Sequence, residues 1–167
     1  MIDPLDRLIA HDEIRQLVAR YAVAVDSRDI DGLCDLFVRD VQVGRSSGRE
    51  ALHRDFSTQL RAVGRTILNV GTQAIDLVDA DRATGTVYCK GEIEVDGALV
   101  HQAILYDDTY ERRDGRWLFV RRVHELWYGA PVGQDPLGLP PAEWPKRAVG
   151  MGTVPERWAS WRSFWSE

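Results

Sequence analysis

An excess of basic residues is missing from this sequence: 21 lysines and arginines stand against 26 aspartates and glutamates, a net charge of -5. That balance argues against nucleic acid or an anionic membrane surface as the main partner. No apolar run approaches the ~20 residues that span a bilayer. The opening MIDPLDRLIAHDEI has no basic leader with an apolar stretch behind it, so no secretory signal is expected. Cysteine is scarce. Cys34 and Cys89 are the two present, and they are expected as buried free thiols in a reducing compartment, with the cytoplasm as location. The four histidines lack metal-ligand spacing, and there is no GxSxG nucleophile elbow. The glycine-bearing GAPVGQDPLG has no strand–helix setting for a phosphate loop, so no metal and no cofactor are implied.

Proline is nearly absent before Pro131, where Pro4 stands alone. This leaves long stretches free for regular structure, and the pattern fills them. From Pro4, Ile14, Leu17, Val18, Tyr21, Ala22 and Val25 recur at three- and four-residue steps, one apolar face of a helix. Ser27 or Asp29 can cap a short second helix that buries Leu33, Leu36 and Phe37. VQVG reads as a brief strand. Ser47 to Glu50 has capping-box spacing and opens a third helix, with Leu52, Phe56, Leu60 and Val63 inward and Gly64 as its stop. After Gly64 four segments rich in Val, Ile, Thr, Tyr and Trp alternate with the turns DADR, EVDGA and RRDGR. Two of these turns contain Asp-Gly, a strong hairpin signal. No internal repeat is present. The expected class is α+β: three N-terminal helices packed on a curved antiparallel sheet, a cone-shaped α+β barrel.

Residues 1–128 form this domain, and residues 129–167 form an extension of different composition. Six of the seven prolines lie in it and argue against regular structure there. Its end, VPERWASWRSFWSE, puts Trp158, Trp161 and Trp165 on one helical face. That aromatic area is expected to cover the protein's own core, a pocket mouth as a lid, or a neighbouring subunit.

Asp26 closes the first helix, where a carboxylate costs a few tenths of a kcal/mol (about 0.3 or more) against the helix dipole. Either it faces water or a site there wants it. Tyr21-x-x-x-x-Asp26 near the start and YERRDGRWLF near the end resemble the SnoaL-like polyketide cyclase family. This family belongs with the scytalone dehydratases, ketosteroid isomerases and nuclear transport factor 2. The likeness spans about residues 3 to 128. Its nearest branches are the hexachlorocyclohexane dehydrochlorinases and the bile acid 7α-dehydratases.

The resemblance implies an apolar pocket inside the cone, with Asp26 as general base and Tyr21 beside it. Desolvation there would raise the proton affinity of Asp26. The family's histidine slot falls at Leu68, or at Asn69 one residue along, and neither is a base. Alignment on Trp117 places His124 where a relative has a pocket arginine. Simple alternation then predicts that Leu118, Val120, Arg122 and His124 share one sheet face. His124 is therefore the candidate partner of Asp26. Asn69, Leu68, His101, Tyr106 and Trp127 are the candidate substrate contacts, and His11 and His53 are expected at the surface.

The implied function is a cofactor-independent lyase or isomerase acting on a small hydrophobic, cyclic molecule. It would eliminate water or halide, or move a proton beside a carbonyl. The alternative is a binding protein that keeps the pocket without the chemistry, and a third is an assembly protein using its sheet face. No nucleic-acid or membrane partner is expected; a homo-oligomer, dimer or trimer, is.

Overall fold

The computed structural model describes residues 2–166. Helix α1 (Pro4–Ser27) begins where the Asp3 carboxylate accepts from the Leu5 amide and Pro4 fills the first turn. It ends at Arg28, whose positive φ of 61° stops the helix without a glycine. The predicted stripe is the buried one: Ile14, Leu17, Val18, Ala22 and Val25 face the core. Asp29, not Ser27, caps α2 (Ile30–Cys34) through the Gly32 amide at 2.9 Å. Leu36 and Phe37 are buried just beyond that helix.

VQVG becomes β1 (Gln42–Val43), paired with β2 (Ser46–Ser47). This pairing overturns the capping box: Ser47 is a strand residue, and Gly48 precedes α3 (Arg49–Arg61) with no side-chain cap. Gly64 is not the helix stop either, because α3 ends at Arg61. The Gly64 amide instead donates to Glu94 O at 2.8 Å.

The sheet follows as a meander: β3 (Thr66–Leu77), β4 (Arg82–Val95), β5 (Ala98–Arg113) and β6 (Arg116–Pro131), all antiparallel, with β3 as one edge. Asp96-Gly97 and Asp114-Gly115 turn the two hairpins with positive φ at both residues, as a two-residue loop of primed type requires. Helix α1 lies against β3 and β6, and its apolar stripe closes the inner face of the sheet. The result is the α+β cone.

The extension holds more regular structure than its prolines suggest. A 3-10 turn (Pro136–Gly138) leads to β7 (Gly150–Met151), which pairs with β6 and adds a fifth strand. A short helix α4 (Ala159–Phe164) ends the described chain. Its aromatics divide. Trp158 packs on Trp127 at 5.6 Å, while Trp161 and Trp165 are exposed. Among the described residues no helix is long and apolar enough to cross a membrane, and no cluster of metal-ligating side chains is found.

Candidate active site

Alternation fails at one point of β6, and that point decides the site. Thr109 pairs with Arg121 and Tyr110 with Phe119, so Val120 is skipped as a β-bulge. Beyond it the faces exchange. Leu118 and Val120 do not share a face with Arg122 and His124; Phe119 does, three residues before Arg122. Three cross-strand pairs then stand in a row on the inner face: Tyr106 with His124, Asp108 with Arg122, Tyr110 with Phe119.

The middle pair is an ion pair in the core. Arg122 donates from Nε to Asp108 Oδ1 at 2.8 Å and from Nη2 to Oδ2 at 2.6 Å. Both side chains are almost wholly buried, and the Tyr110 hydroxyl donates to the same Oδ2 at 2.7 Å. The guanidinium also lies over the rings of Tyr106, Tyr21 and Phe119, 4.2 to 4.4 Å from each centroid. Burial works to lower the proton affinity of Arg122, but the hydrogen bonds and charge of Asp108 outweigh it and raise it. Nη1 has no partner among the described residues. A charged donor thus stands free inside the cone.

Asp26 reaches the same interior from the end of α1. Its Oδ1 accepts from Thr66 Oγ1 at 2.8 Å and its Oδ2 from the Leu68 amide at 2.9 Å. Arg28 donates to that Thr66 hydroxyl at 2.8 Å, which completes a relay of donors. This explains a carboxylate at a helix C-terminus: the edge strand supplies the N–H and O–H that the helix end cannot. It also corrects the expectation of a dried-out acid, since Asp26 is half-buried and satisfied by two donors. The Cys89 thiol feels both charges. Burial pushes it up to about 11, with Arg122 opposing and Asp26 adding.

Tyr21 is ringed by Phe37, Phe56, Tyr106 and Phe119, and burial raises its hydroxyl above its ordinary value against the pull of Arg122. Burial also lifts the Tyr106 hydroxyl well above its usual range. His124 is neutral. Burial first, and then the Arg122 charge, push it down to about 3. Its Nε2 is buried without a partner, and no hydrogen bond among the described residues joins it to Asp26. Its ring is covered by Trp144 of the extension, 4.2 Å between centroids, and the Trp144 indole donates to His124 O at 3.0 Å.

Tyr21, Tyr106 and His124 pack together beside Arg122, and Asp26 meets the Leu68 amide. Asn69, His101 and Trp127 lie apart from both groups. Asn69 stands in a row with Lys90, Ala103 and Tyr128 on the outer face, and His101 is exposed there, 3.9 Å from Glu92. Trp127, skipped by a second bulge, packs on Tyr88 and Trp158. As contacts inside the cone these three are corrected. Asn69 and Trp127 instead line a hollow of about 340 Å³ on the outer face. A second hollow, of about 750 Å³, lies beside the start of α1. Neither is lined by Asp26, Tyr21, Arg122 or His124.

The residues missed by sequence reasoning are Asp108, Tyr110 and Arg122. A signal for the first two was present: Tyr106, Asp108 and Tyr110 alternate on one strand, and an acid between two aromatics on a core-facing stripe demands a partner.

Comparison with known proteins gives one coherent answer. The family model of the SnoaL-like domain matches residues 6–123. Gamma-hexachlorocyclohexane dehydrochlorinase of Sphingobium indicum is 30% identical over 140 residues, covering 77% of this chain and 87% of that one. The crystal structure of a type 2 hexachlorocyclohexane dehydrochlorinase superposes with a TM-score of 0.68 at 26% identity, over 80% of this chain and 95% of the other. A type 3 dehydrochlorinase from Novosphingobium barchaimii gives 0.68 at 25% identity, over 80% and 97%.

Proposed function

The chain belongs to the SnoaL-like domain family, and on that footing we propose that it is a cofactor-independent lyase for a small, neutral, hydrophobic, cyclic molecule. The observation that carries this reading is the buried guanidinium of Arg122 with Nη1 unpaired, together with an Asp26 carboxylate held by two donors from β3. A carboxylate has about four lone-pair sites, so two donors leave Asp26 room to take a proton. Asp26 removes a proton from carbon, that C–H pair becomes the new double bond, and the leaving group departs with its bonding pair toward Arg122 Nη1–H. Proton transfer beside a carbonyl, with Arg122 on the enolate oxygen, uses the same two groups and would make the enzyme an isomerase. Neutral His124 contributes a polar contact and no charge. The dehydrochlorinase relatives favour elimination.

An anionic substrate is disfavoured, since Arg122 and Asp108 cancel and Asp26 leaves the interior negative, and the aromatic rings around Arg122 suit an uncharged, apolar one. Trp144 stands over the site, so the extension acts as a lid that must lift for entry. The outer sheet face and the exposed Trp161, Phe164 and Trp165 supply apolar area for a homo-oligomer contact. A cytoplasmic location agrees with two free, buried cysteines.

A second reading, a binding protein without turnover, is favoured by the side chain of Leu68 in the family's histidine slot and by the bonds that hold Asp26 to β3. One comparison separates the two. Product release from a panel of chlorinated and hydroxylated cyclohexanes and cyclohexenes is measured for the protein and for Asp26→Asn. The enzyme reading expects turnover to vanish while ligand affinity stays within about tenfold, near 1.4 kcal/mol. Equal turnover in both proteins would reject Asp26 as the base, and ligand binding with no product from either leaves the binding protein.

A further inference from the structure

Two irregularities of strand pairing shape the hollow of about 340 Å³ on the outer face of the sheet. On β6 the skipped Trp127 stands next to Tyr128, and the bulge leaves these two consecutive rings lining the same space. On β3 the register shifts between Val70 and Gln73, so Gly71 and Thr72 are unpaired and bring no large side chain. The hollow runs between these two bulges, over Ala103, and all four long strands line it. Its row of Asn69, Lys90, Ala103 and Tyr128 faces away from Arg122, so this is a separate place.

Two pairs of side chains reach across β5 to make its walls. Lys90 on β4 donates to the Tyr128 hydroxyl on β6 at 3.4 Å, with its ammonium 5.3 Å from the centroid of that ring. Ala103, between them in the row, is small enough to pass beneath. Tyr88 and Trp127 meet in the same way, 5.8 Å between centroids, and Trp158 packs on Trp127 at 5.6 Å. The Trp127 ring is thus held before any ligand arrives. Tyr88 is 36% exposed, which leaves aromatic surface open. The charge of the lining has one sign. Lys90 is its single charged residue and has no carboxylate partner among the described residues. Glu92, two positions along β4, lies 3.9 Å from His101 instead. The Tyr128 hydroxyl accepts from Lys90 and keeps its own proton to donate.

We infer that this hollow is a second binding site, for a small aromatic carboxylate. The ring of the ligand lies against Tyr88 and Trp127, and its carboxylate accepts from Lys90 Nζ–H and Tyr128 O–H. Hydrogen bonds between ammonium and carboxylate are about twice as strong as neutral ones, so the anion is held in preference to an uncharged molecule of its shape. The volume lies within the range of about 300–1,000 Å³ usual for small-molecule sites. This inference stands whether or not the inner site turns anything over.

The test uses the whole protein and four probes: benzoate, its neutral isostere benzamide, the cation benzylamine, and acetate, an anion without a ring. Binding is followed by calorimetry and by the indole N–H resonances of Trp127 and Trp144, assigned with Trp127→Phe and Trp144→Phe. Benzoate should move the Trp127 resonance saturably, leave that of Trp144 still, and bind about tenfold more tightly than each of the other three. Lys90→Gln should bring benzoate down to the level of benzamide, and Lys90→Arg, which keeps the charge, should retain the preference. The site is refuted if the Trp127 resonance stays still at about 10 mM benzoate, well above a millimolar Kd. It is refuted equally if benzamide binds as well, or if Trp144 alone responds, which would put the anion at Arg122. A Trp127 resonance that follows protein concentration and ignores benzoate would also overturn it, and would give the hollow to a second copy of the chain.

Discussion

Arg122 and Asp108 are direct partners across β5 and β6, joined by two hydrogen bonds, and Tyr110 holds the shared carboxylate from the next position on the same face. The arginine cannot turn without breaking both bonds. Its unpaired Nη1 is therefore aimed by its neighbours, and the aromatic rings around it exclude the water that would blunt its charge.

Removing one member of this pair should be costly. Asp108→Ala leaves a cation buried alone and should destabilise the protein by about 3–5 kcal/mol, read as a lower urea midpoint with unchanged slope. The double change Asp108→Leu with Arg122→Met should recover most of that loss and still lack turnover. A double variant as unstable as the single would show that the pair contributes net stability.

His124 sets a pH dependence whose sign is fixed. Its folded value of about 3 lies below the ordinary 6.5. Between those values the unfolded chain takes up a proton that the folded one refuses, so stability is complete above about pH 6.5 and falls on acidification, by up to about 1.4 kcal/mol per pH unit. Urea midpoints at a series of pH values should show this slope, and His124→Gln should flatten it. A slope unchanged in the variant would place the effect on the carboxylates.

Trp144→Ala should uncover the His124 ring. The imidazole then titrates nearer its ordinary value, an upward shift readable by proton NMR. The second sign is faster ligand association, since the cover over the inner site is gone. No change in either would mean that some other part of the extension closes the mouth.

Thr66→Val removes one of the two donors to Asp26 and leaves Arg28 without its acceptor there. The expected loss is about 1–2 kcal/mol of stability. If Asp26 is the base, kcat should fall more than KM changes, because the carboxylate is no longer held at one angle. Loss confined to KM would make Thr66 a contact for substrate only.

The architecture was legible because helix and strand periods are local. The stripe from Ile14 to Val25 and the Asp-Gly turns at 96–97 and 114–115 carry their meaning within a few residues. The site was legible only in part. Tyr21 and Tyr106 pack edge to face, and Asp26 is tied to β3 at Thr66 and Leu68. The faces of Arg122 and His124 depend on Val120 being skipped, a fact of pairing between distant segments that alternation along one strand cannot express. The cover over His124 comes from Trp144, in a proline-rich stretch without a period to read. Ser47 met the spacing of a capping box, yet pairing with Gln42 drew it into a strand.

The bulge at Val120 has a consequence for how such a protein can change over generations. Loss of that single codon would leave Phe119 and Arg121 as neighbours on Tyr110 and Thr109, so Arg122 with Asp108 and His124 with Tyr106 would keep their register and their faces. A one-residue slip that paired Val120 with Thr109 would instead turn Val123 and Glu125 inward and Arg122 and His124 out. The extra residue is thus a part that descendants can drop without disturbing the wall it precedes.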